Sequence, residues 1–324
     1  MRRRVAVIGA GVSGLTCGLL FAERGDAVTL YAEETGEGTT SAAAGAIWFP
    51  YDAEPVADVI RWSLATFGRL QAMAGDARTG VAMRELRCFA RAGELPIPGW
   101  AHALGARRLS VNELPDAFAS GFALNVPMID AGTYLSYLAA RLIAAGGSVV
   151  GGVRFADMNF HRHPQWRGDV DLVVNCSGVG ARELVRDAAV EPHRGQIAIV
   201  AGARVPYAMV CDDPPLMYVI PRMRDCVFGG TNEISDDRTP RPAERTAIVA
   251  ECARVLDVAP PAVIGERVGL RPFRTTGVCL EVERLTDTRP VLHNYGHGGS
   301  GFTLSWGCAE EVFALAEAEA PTVA

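Results

Sequence analysis

The chain has 324 residues, with 31 Lys or Arg against 37 Asp or Glu, a formal net charge of −6 and a hydrophobic fraction of 49%. That length supports a sizeable core and two domains, the acidic balance argues against nucleic acid as a partner, and no apolar run reaches the roughly 18 residues of a membrane span. The eight cysteines (17, 88, 176, 211, 226, 252, 279 and 308) are scattered without a Cys-x-x-Cys pair, and read as reduced, mostly core residues of a cytoplasmic protein.

In chain order, residues 4–8 form a short apolar run behind a basic start, read as a buried strand and not as the opening of a signal peptide. Gly9-Ala10-Gly11-Val12-Ser13-Gly14 follows, then helical periodicity over 15–24, a stop at Gly25-Asp26, and a second buried strand over 27–31 with Glu33 just beyond it. Residues 36–45 are small and polar, a loop or the start of a small-residue helix. Residues 56–73 are an amphipathic helix, and 81–127 read as short alternating strands between proline-rich loops. Asp130 caps a helix over 130–145 with Tyr134, Leu135, Leu138 and Leu142 on one face, and 148–155 is a strand. His161 and His163 beside Trp166 read as a polar surface turn, with a metal site as the rival; no metal is expected.

Residues 171–176 are a further buried strand, followed by Ser177-Gly178 and a helical stretch to 186. Strands of a second sheet are expected at 197–200, 217–220 and 226–230, a helix at 243–255 and a last strand at 291–294. That strand enters Tyr295-Gly296-His297-Gly298-Gly299-Ser300-Gly301 and a final helix over 302–319. Residues 320–324 carry no peroxisomal tripeptide. Nucleotide-type elements at the start, middle and end, with β-rich segments between them, predict an α/β (α+β two-domain) fold. A Rossmann-like domain from 1–50, 130–188 and 276–324 is interleaved with a β-sheet domain from 51–129 and 189–275.

Gly9, Gly11 and Gly14 permit a tight turn, close approach of a pyrophosphate and close helix–strand packing. The amides that follow, at Val12 and Ser13, meet the phosphates at a positive helix end. Glu33 suits ribose hydroxyls and disfavours a 2′-phosphate. This loop alone leaves NAD and FAD open. The second glycine turn, at 297–301, brings amides and a helix dipole to one point. Such a turn suits the pyrimidine edge of a flavin, where positive potential favours reduction.

Four segments together resemble the D-amino acid oxidase family, including D-aspartate oxidases. They are Val5 to Gly14, Thr39-Thr40 through Ala43-Ala44-Gly45 to Trp48, Pro50 and Tyr51, Val268-Gly269-Leu270-Arg271-Pro272 with Arg274, and His293-Asn294-Tyr295-Gly296-His297-Gly298-Gly299 to Trp306-Gly307-Cys308. Weaker matches are Val174 to Gly178, Arg194-Gly195-Gln196, Tyr218 to Pro221 and Gly229-Gly230-Thr231, so the likeness runs nearly end to end. It implies non-covalent FAD, a D-amino acid and dioxygen as the small-molecule partners, and leaves a homodimer open. By resemblance FAD meets Gly9, Gly11, Val12, Ser13, Gly14, Glu33, Thr39, Thr40, Ala44, Gly45, Ala46, Val153, Ser177 and Gly178. At the ring end it meets Gly298, Ser300, Gly301, Phe302 and Thr303. Arg271 and Tyr218 match the residues that hold the substrate carboxylate, and Gly299 the glycine whose carbonyl accepts from the amine. By the same resemblance Phe49, Tyr51, Ile220 and Asn232 are expected to line the substrate pocket.

A guanidinium gives a carboxylate two parallel hydrogen bonds, which supports the role of Arg271 independently. The bland alternatives are a surface salt bridge for Arg271 and a core tyrosine for Tyr218. The chain also departs from the family. Pro214 stands where many members place a lid tyrosine, so the lid is expected to be short or absent. Phe49 replaces a common glutamine, and Ala46-Ile47-Trp48 carries one extra residue. Asn232 stands where the aspartate-selective branch has arginine, so neutral D-amino acids are expected. The implied reaction is oxidative deamination by hydride transfer to flavin N5. The alternatives are another flavin amine oxidase or dehydrogenase, acting on glycine, an N-methyl amino acid or a cyclic imino acid, an NAD-linked dehydrogenase, and a flavin-binding protein without turnover.

Overall fold

The computed structural model describes residues 2–51, 53–201, 205–285 and 289–319; the C-terminal segment 320–324, read above for a targeting signal, lies outside them. Two sheets organise the chain. The first runs Val282–Arg284, Pro290–His293, Leu172–Asn175, Arg4–Ile8, Ala27–Ala32, Ser148–Gly151, with every neighbouring pair parallel except the first. Its central strand is apolar and buried from Val5 to Ile8 because sheet neighbours flank it on both sides and helices cover it. The helices Val12–Glu23 and Gly301–Ala318 pack against each other, and the latter also packs on Val56–Met73.

The second sheet has nine strands drawn from two parts of the chain. Val81–Ala90, Arg107–Arg108 and Ser120–Ile129 precede the return to the first sheet, and six strands between Val190–Val200 and Val263–Arg274 follow it. The two sheets are therefore threaded alternately, as the order of sequence signals predicts. The largest core joins them, running from Val5, Val7 and Leu30 to Val126, Met128, Ile197 and Ile220.

Several expectations change. The region 81–127 holds antiparallel strands and loops as read, but two of the strands run ten residues in full register, Val81 with Ile129 through Ala90 with Ser120, and only Arg107–Arg108 is short. The strand expected over 148–155 ends at Gly151, because Gly152 turns the chain with φ +72° and lets Val153 N donate to Ala32 O at 3.0 Å. The twelve-residue strand Val263–Arg274 has no counterpart in the sequence reading. It pairs with Val190–Val200, Arg271 opposite His193 and Gly269 opposite Gly195. The Asp130 cap is present, its Oδ1 accepting from Thr133 N at 3.1 Å. All eight cysteines are unpaired and buried.

Arg194 is fully buried in the second sheet. It donates to Asp237 O at 2.9 Å, Thr239 O at 2.8 Å, Gln196 Oε1 at 3.1 Å and Glu244 Oε2 at 2.6 Å. These bonds hold residues 237–239 against the sheet. Removing the cation leaves two carbonyls without a donor, while Glu244 keeps Arg241 at 2.9 Å; the loss costs roughly 2–4 kcal/mol. Arg194→Ala is expected to lower the unfolding free energy by that amount in a denaturant titration; a change below about 1 kcal/mol contradicts the buried network.

Candidate active site

A continuous cleft of about 620 Å³ runs along the ends of the first sheet and over the second. At one end it is walled by the glycine turn after Arg4–Ile8. Gly9 adopts φ +110°, a conformation closed to most side chains, and its amide donates to Tyr31 O at 2.8 Å. A methyl carbon built at Gly14 would lie 2.8 Å from the Gly9 carbonyl carbon, so this position is closed by the turn itself. Gly11 is the N-cap of Val12–Glu23 and offers no side-chain cap, which leaves first-turn amides facing the cleft. Val12 N donates to Ser41 Oγ at 3.0 Å, so that amide has a partner 29 residues away that the sequence reading did not identify.

Of the residues singled out from sequence for this end, Gly9, Gly11, Val12, Ser13, Glu33, Thr39, Thr40, Ala44, Gly45, Ala46, Val153, Ser177 and Gly178 line the cleft, and Gly14 lies behind it. Glu33 is mostly exposed and pairs with Arg154 at 3.4 Å. Ala46 sits at φ 54° in the segment with the extra residue, and its carbonyl accepts from Ile129 N at 2.8 Å. Ser177 is placed by Asn175, whose Oδ1 accepts from Ser177 N at 3.1 Å, while Asn175 Nδ2 meets His293 Nδ1 at 3.1 Å. The Ser177 hydroxyl is buried and has no hydrogen-bond partner among the described residues. A buried hydroxyl facing a cleft, side-chain-free glycines and unspent helix amides together fit a dinucleotide.

At the other end, Gly298, Gly299, Gly301 and Phe302 line the cleft. Ser300 and Thr303 do not. Their side chains fasten the facing segment: Thr303 Oγ1 accepts from Phe49 N at 3.0 Å and donates to Phe49 O at 3.1 Å, while Ser300 Oγ accepts from Tyr51 N at 3.0 Å and donates to Tyr51 O. Phe49 and Tyr51 are thereby held on the cleft wall. Phe49 packs edge-on against Trp100 with ring centroids 5.5 Å apart.

The second sheet supplies the rest of the wall. Arg271 is half-buried, faces the cleft and forms no ion pair among the described residues. Its Nη1 donates to Thr231 O at 3.1 Å and reaches Asn232 Oδ1 at 3.4 Å, which leaves the other edge of the guanidinium for an anion. Tyr218 and Ile220 lie on the same face two residues apart, with Val210 directly across from Tyr218. Burial pushes the Tyr218 phenol above its ordinary value and the adjacent Arg271 opposes that shift. The phenol is therefore a neutral donor near pH 7. Val210, Asp212 and Leu216 join this wall without having been singled out; alternation along Ala208–Cys211 is the signal that places Val210 and Asp212 together. Asp236 and Arg238 reach the cleft through tertiary folding alone, paired with Arg182 at 2.9 Å and Glu34 at 2.8 Å. The turn at 212–216 that joins Ala208–Cys211 to Met217–Pro221 is five residues long, as the missing lid tyrosine implies. Arg91 braces it through Asp213 O, Asp213 Oδ2 and Pro215 O.

Residues 4–315 match the family described as FAD dependent oxidoreductase. The chain belongs to that family. It is similar to the D-amino-acid oxidase of Rubrobacter xylanophilus, with 42% identity covering 97% of this chain and 96% of that protein. It is also similar to the human D-aspartate oxidase, with 32% identity covering 96% and 94%. The fold matches glycine oxidase from Geobacillus kaustophilus with a TM-score of 0.81 at 19% identity, covering 99% of this chain and 96% of that one. The oxidoreductase uses FAD, and the cleft residues are compatible with it.

His297 of this flavoenzyme is buried at the cleft, with Nε2 2.9 Å from Asn294 Oδ1. Burial lowers its pKa to about 4 from 6.5. The folded protein thus refuses a proton that the unfolded chain accepts, and stability falls as pH drops from about 6.5 to about 4, by an amount on the order of 3 kcal/mol. His297→Gln is expected to flatten that part of the stability profile, measured by unfolding at pH 7, 6 and 5; identical slopes for both proteins contradict it. Gly14→Val drives a branched side chain into the Gly9 carbonyl, and the purified variant is expected to lack flavin absorbance.

Proposed function

We propose that this flavoenzyme deaminates neutral D-amino acids, consuming dioxygen and water and releasing a 2-oxo acid, ammonia and hydrogen peroxide. The observation that carries this reading is Arg271, a half-buried guanidinium with one edge tied down and one edge open to the cleft beside a neutral phenol. Arg271 binds the substrate carboxylate bidentately and Tyr218 donates to the same group. The Gly299 carbonyl accepts from the amine. Carboxylate, amine and α-hydrogen fixed together give selection for one enantiomer, and orientation is the main catalytic term. FAD, when bound, supplies the two-electron acceptor that takes the α-hydrogen as hydride and returns the electrons to dioxygen.

The names of the similar proteins support D-amino acids as the substrate class. Asn232 at the Arg271 edge supports neutral over acidic side chains, because it adds no second cation there. FAD is held by Gly9, Gly11, Ser13, Glu33, Thr39, Thr40, Val153 and Ser177 at the adenosine and pyrophosphate end, and by Gly298, Gly301 and Phe302 at the ring end. The FAD domain comprises 1–50, 130–188 and 276–324, and the substrate domain 51–129 and 189–275. Eight unpaired buried cysteines support a reducing, cytoplasmic setting.

The test is anaerobic flavin bleaching by matched D- and L-amino acids. D-alanine and other neutral D-amino acids are expected to bleach the flavin, and their L-forms and D-aspartate are not. Arg271→Ala is expected to retain FAD while KM for D-alanine rises by roughly 100-fold or more. Bleaching by both enantiomers, or an unchanged KM, overturns the assignment.

A further inference from the structure

The carboxylate anchor rests on two strand positions that carry no side chain. Gly195 lies in Val190–Val200 and Gly229 ends Cys226–Gly229, and these strands are neighbours. Gly229 pairs with Ile197, so Gly195, two residues away, shares its face and is its diagonal neighbour. A methyl carbon built at Gly195 would stand 2.5 Å from Arg271 Nη1 and 2.6 Å from Cζ. One built at Gly229 would overlap the ring and hydroxyl of Tyr218. In both cases the nearest atoms are the functional tips of the two anchor residues. Gly230 differs: its obstacle is the backbone carbonyl of Leu216, an ordinary close approach of chain to chain.

Register explains how the two tips converge. Arg271 extends from the strand that pairs with Val190–Val200, and Tyr218 from the strand on the far side of Cys226–Gly229. Their side chains lean toward each other across the two strands between them and lie against bare backbone. The other side is also close: methyl carbons at Gly45 and Gly299 would meet Tyr218 Cε2 at 3.3 Å and Arg271 Cδ at 3.8 Å. Toward the cleft the guanidinium tip is open, so a methyl carbon at 195 moves it off the floor and into the space the substrate carboxylate would take.

We infer that Gly195 and Gly229 are positioning residues for the anchor: a side-chain-free floor that sets the height and tilt of the Arg271 guanidinium and the Tyr218 phenol under the substrate carboxylate. This rests on the substrate reading given above and assigns the geometry of that site to two residues without side chains. A methyl group at 195 displaces the guanidinium from its bond to Thr231 O and misaligns the two donors that a carboxylate needs at once.

The test uses the FAD-loaded protein and benzoate, a carboxylate without amine or α-hydrogen, read by the change it makes in the flavin spectrum. Gly195→Ala and Gly229→Ala are expected to keep FAD and to weaken benzoate at least about tenfold, with a comparable rise in KM for D-alanine. In an Arg271→Ala background, Gly195→Ala is expected to have no further effect on benzoate; a merely structural glycine would add its loss there too. Should Gly229→Ala not accumulate as holoenzyme, Gly229→Ala with Tyr218→Ala removes the ring in the way and is expected to restore it. Failure to restore it, or unchanged benzoate affinity in both glycine variants, overturns the floor. No benzoate or D-alanine response in the unsubstituted holoenzyme overturns the substrate reading and the floor with it.

Discussion

A guanidinium lying on bare backbone, tied along one edge and open along the other, is the constraint around which the rest of this structure is arranged. A half-buried cation needs compensation, and Arg271 takes a carbonyl and an amide oxygen from its own chain and a contact with the Tyr218 phenol. The remaining donors have no protein anion within reach among the described residues. A polar group left in that state is costly unless a ligand completes it. The site is thus built to gain most from a bound carboxylate, and Tyr218, kept neutral by burial, adds a donor without adding charge.

The two sheets divide the labour. The parallel sheet ends in glycine turns and helix starts, which gather amides and suit phosphate. The larger sheet offers a flat face on which side chains from distant strands meet. The segment 49–51 joins the halves, fastened to the last helix by Ser300 and Thr303. Neither residue lines the cleft, and both spend their side chains on this fastening. The loop near Arg238 closes the far side by ion pairs to Glu34 and, through Asp236, to Arg182. Each of these exposed pairs adds little to stability, yet together they fix where the loop sits.

Much of this was legible in the residues themselves. The dinucleotide turn, the Val56–Met73 helix and the Asp130 cap follow from local rules of spacing and capping. The strand that carries Arg271 did not, because Gly265, Gly269 and Pro272 interrupt its alternation and Glu266 and Arg267 make it look like a loop. It becomes a strand because each of its residues from Gly265 to Arg274 finds a partner in Val190–Val200, a tertiary gain that no local pattern announces. The extended strand expected through 155 failed for a local reason, a glycine with positive φ. Ser41, Asp236 and Arg238 are ordinary polar residues in sequence; only the fold brings them to the cleft.

The five-residue turn at 212–216 is held by a relay of side chains. Arg91 grips its backbone at two carbonyls, and Glu251 in turn grips Arg91 at 2.8 Å. These bonds pin the turn to the helix Pro242–Leu256, which carries Glu251. Asp212 and Leu216, which line the cleft, are held in place with the turn. The cleft wall of Val210, Asp212 and Leu216 is thus braced from behind by an arginine that lies outside the cleft.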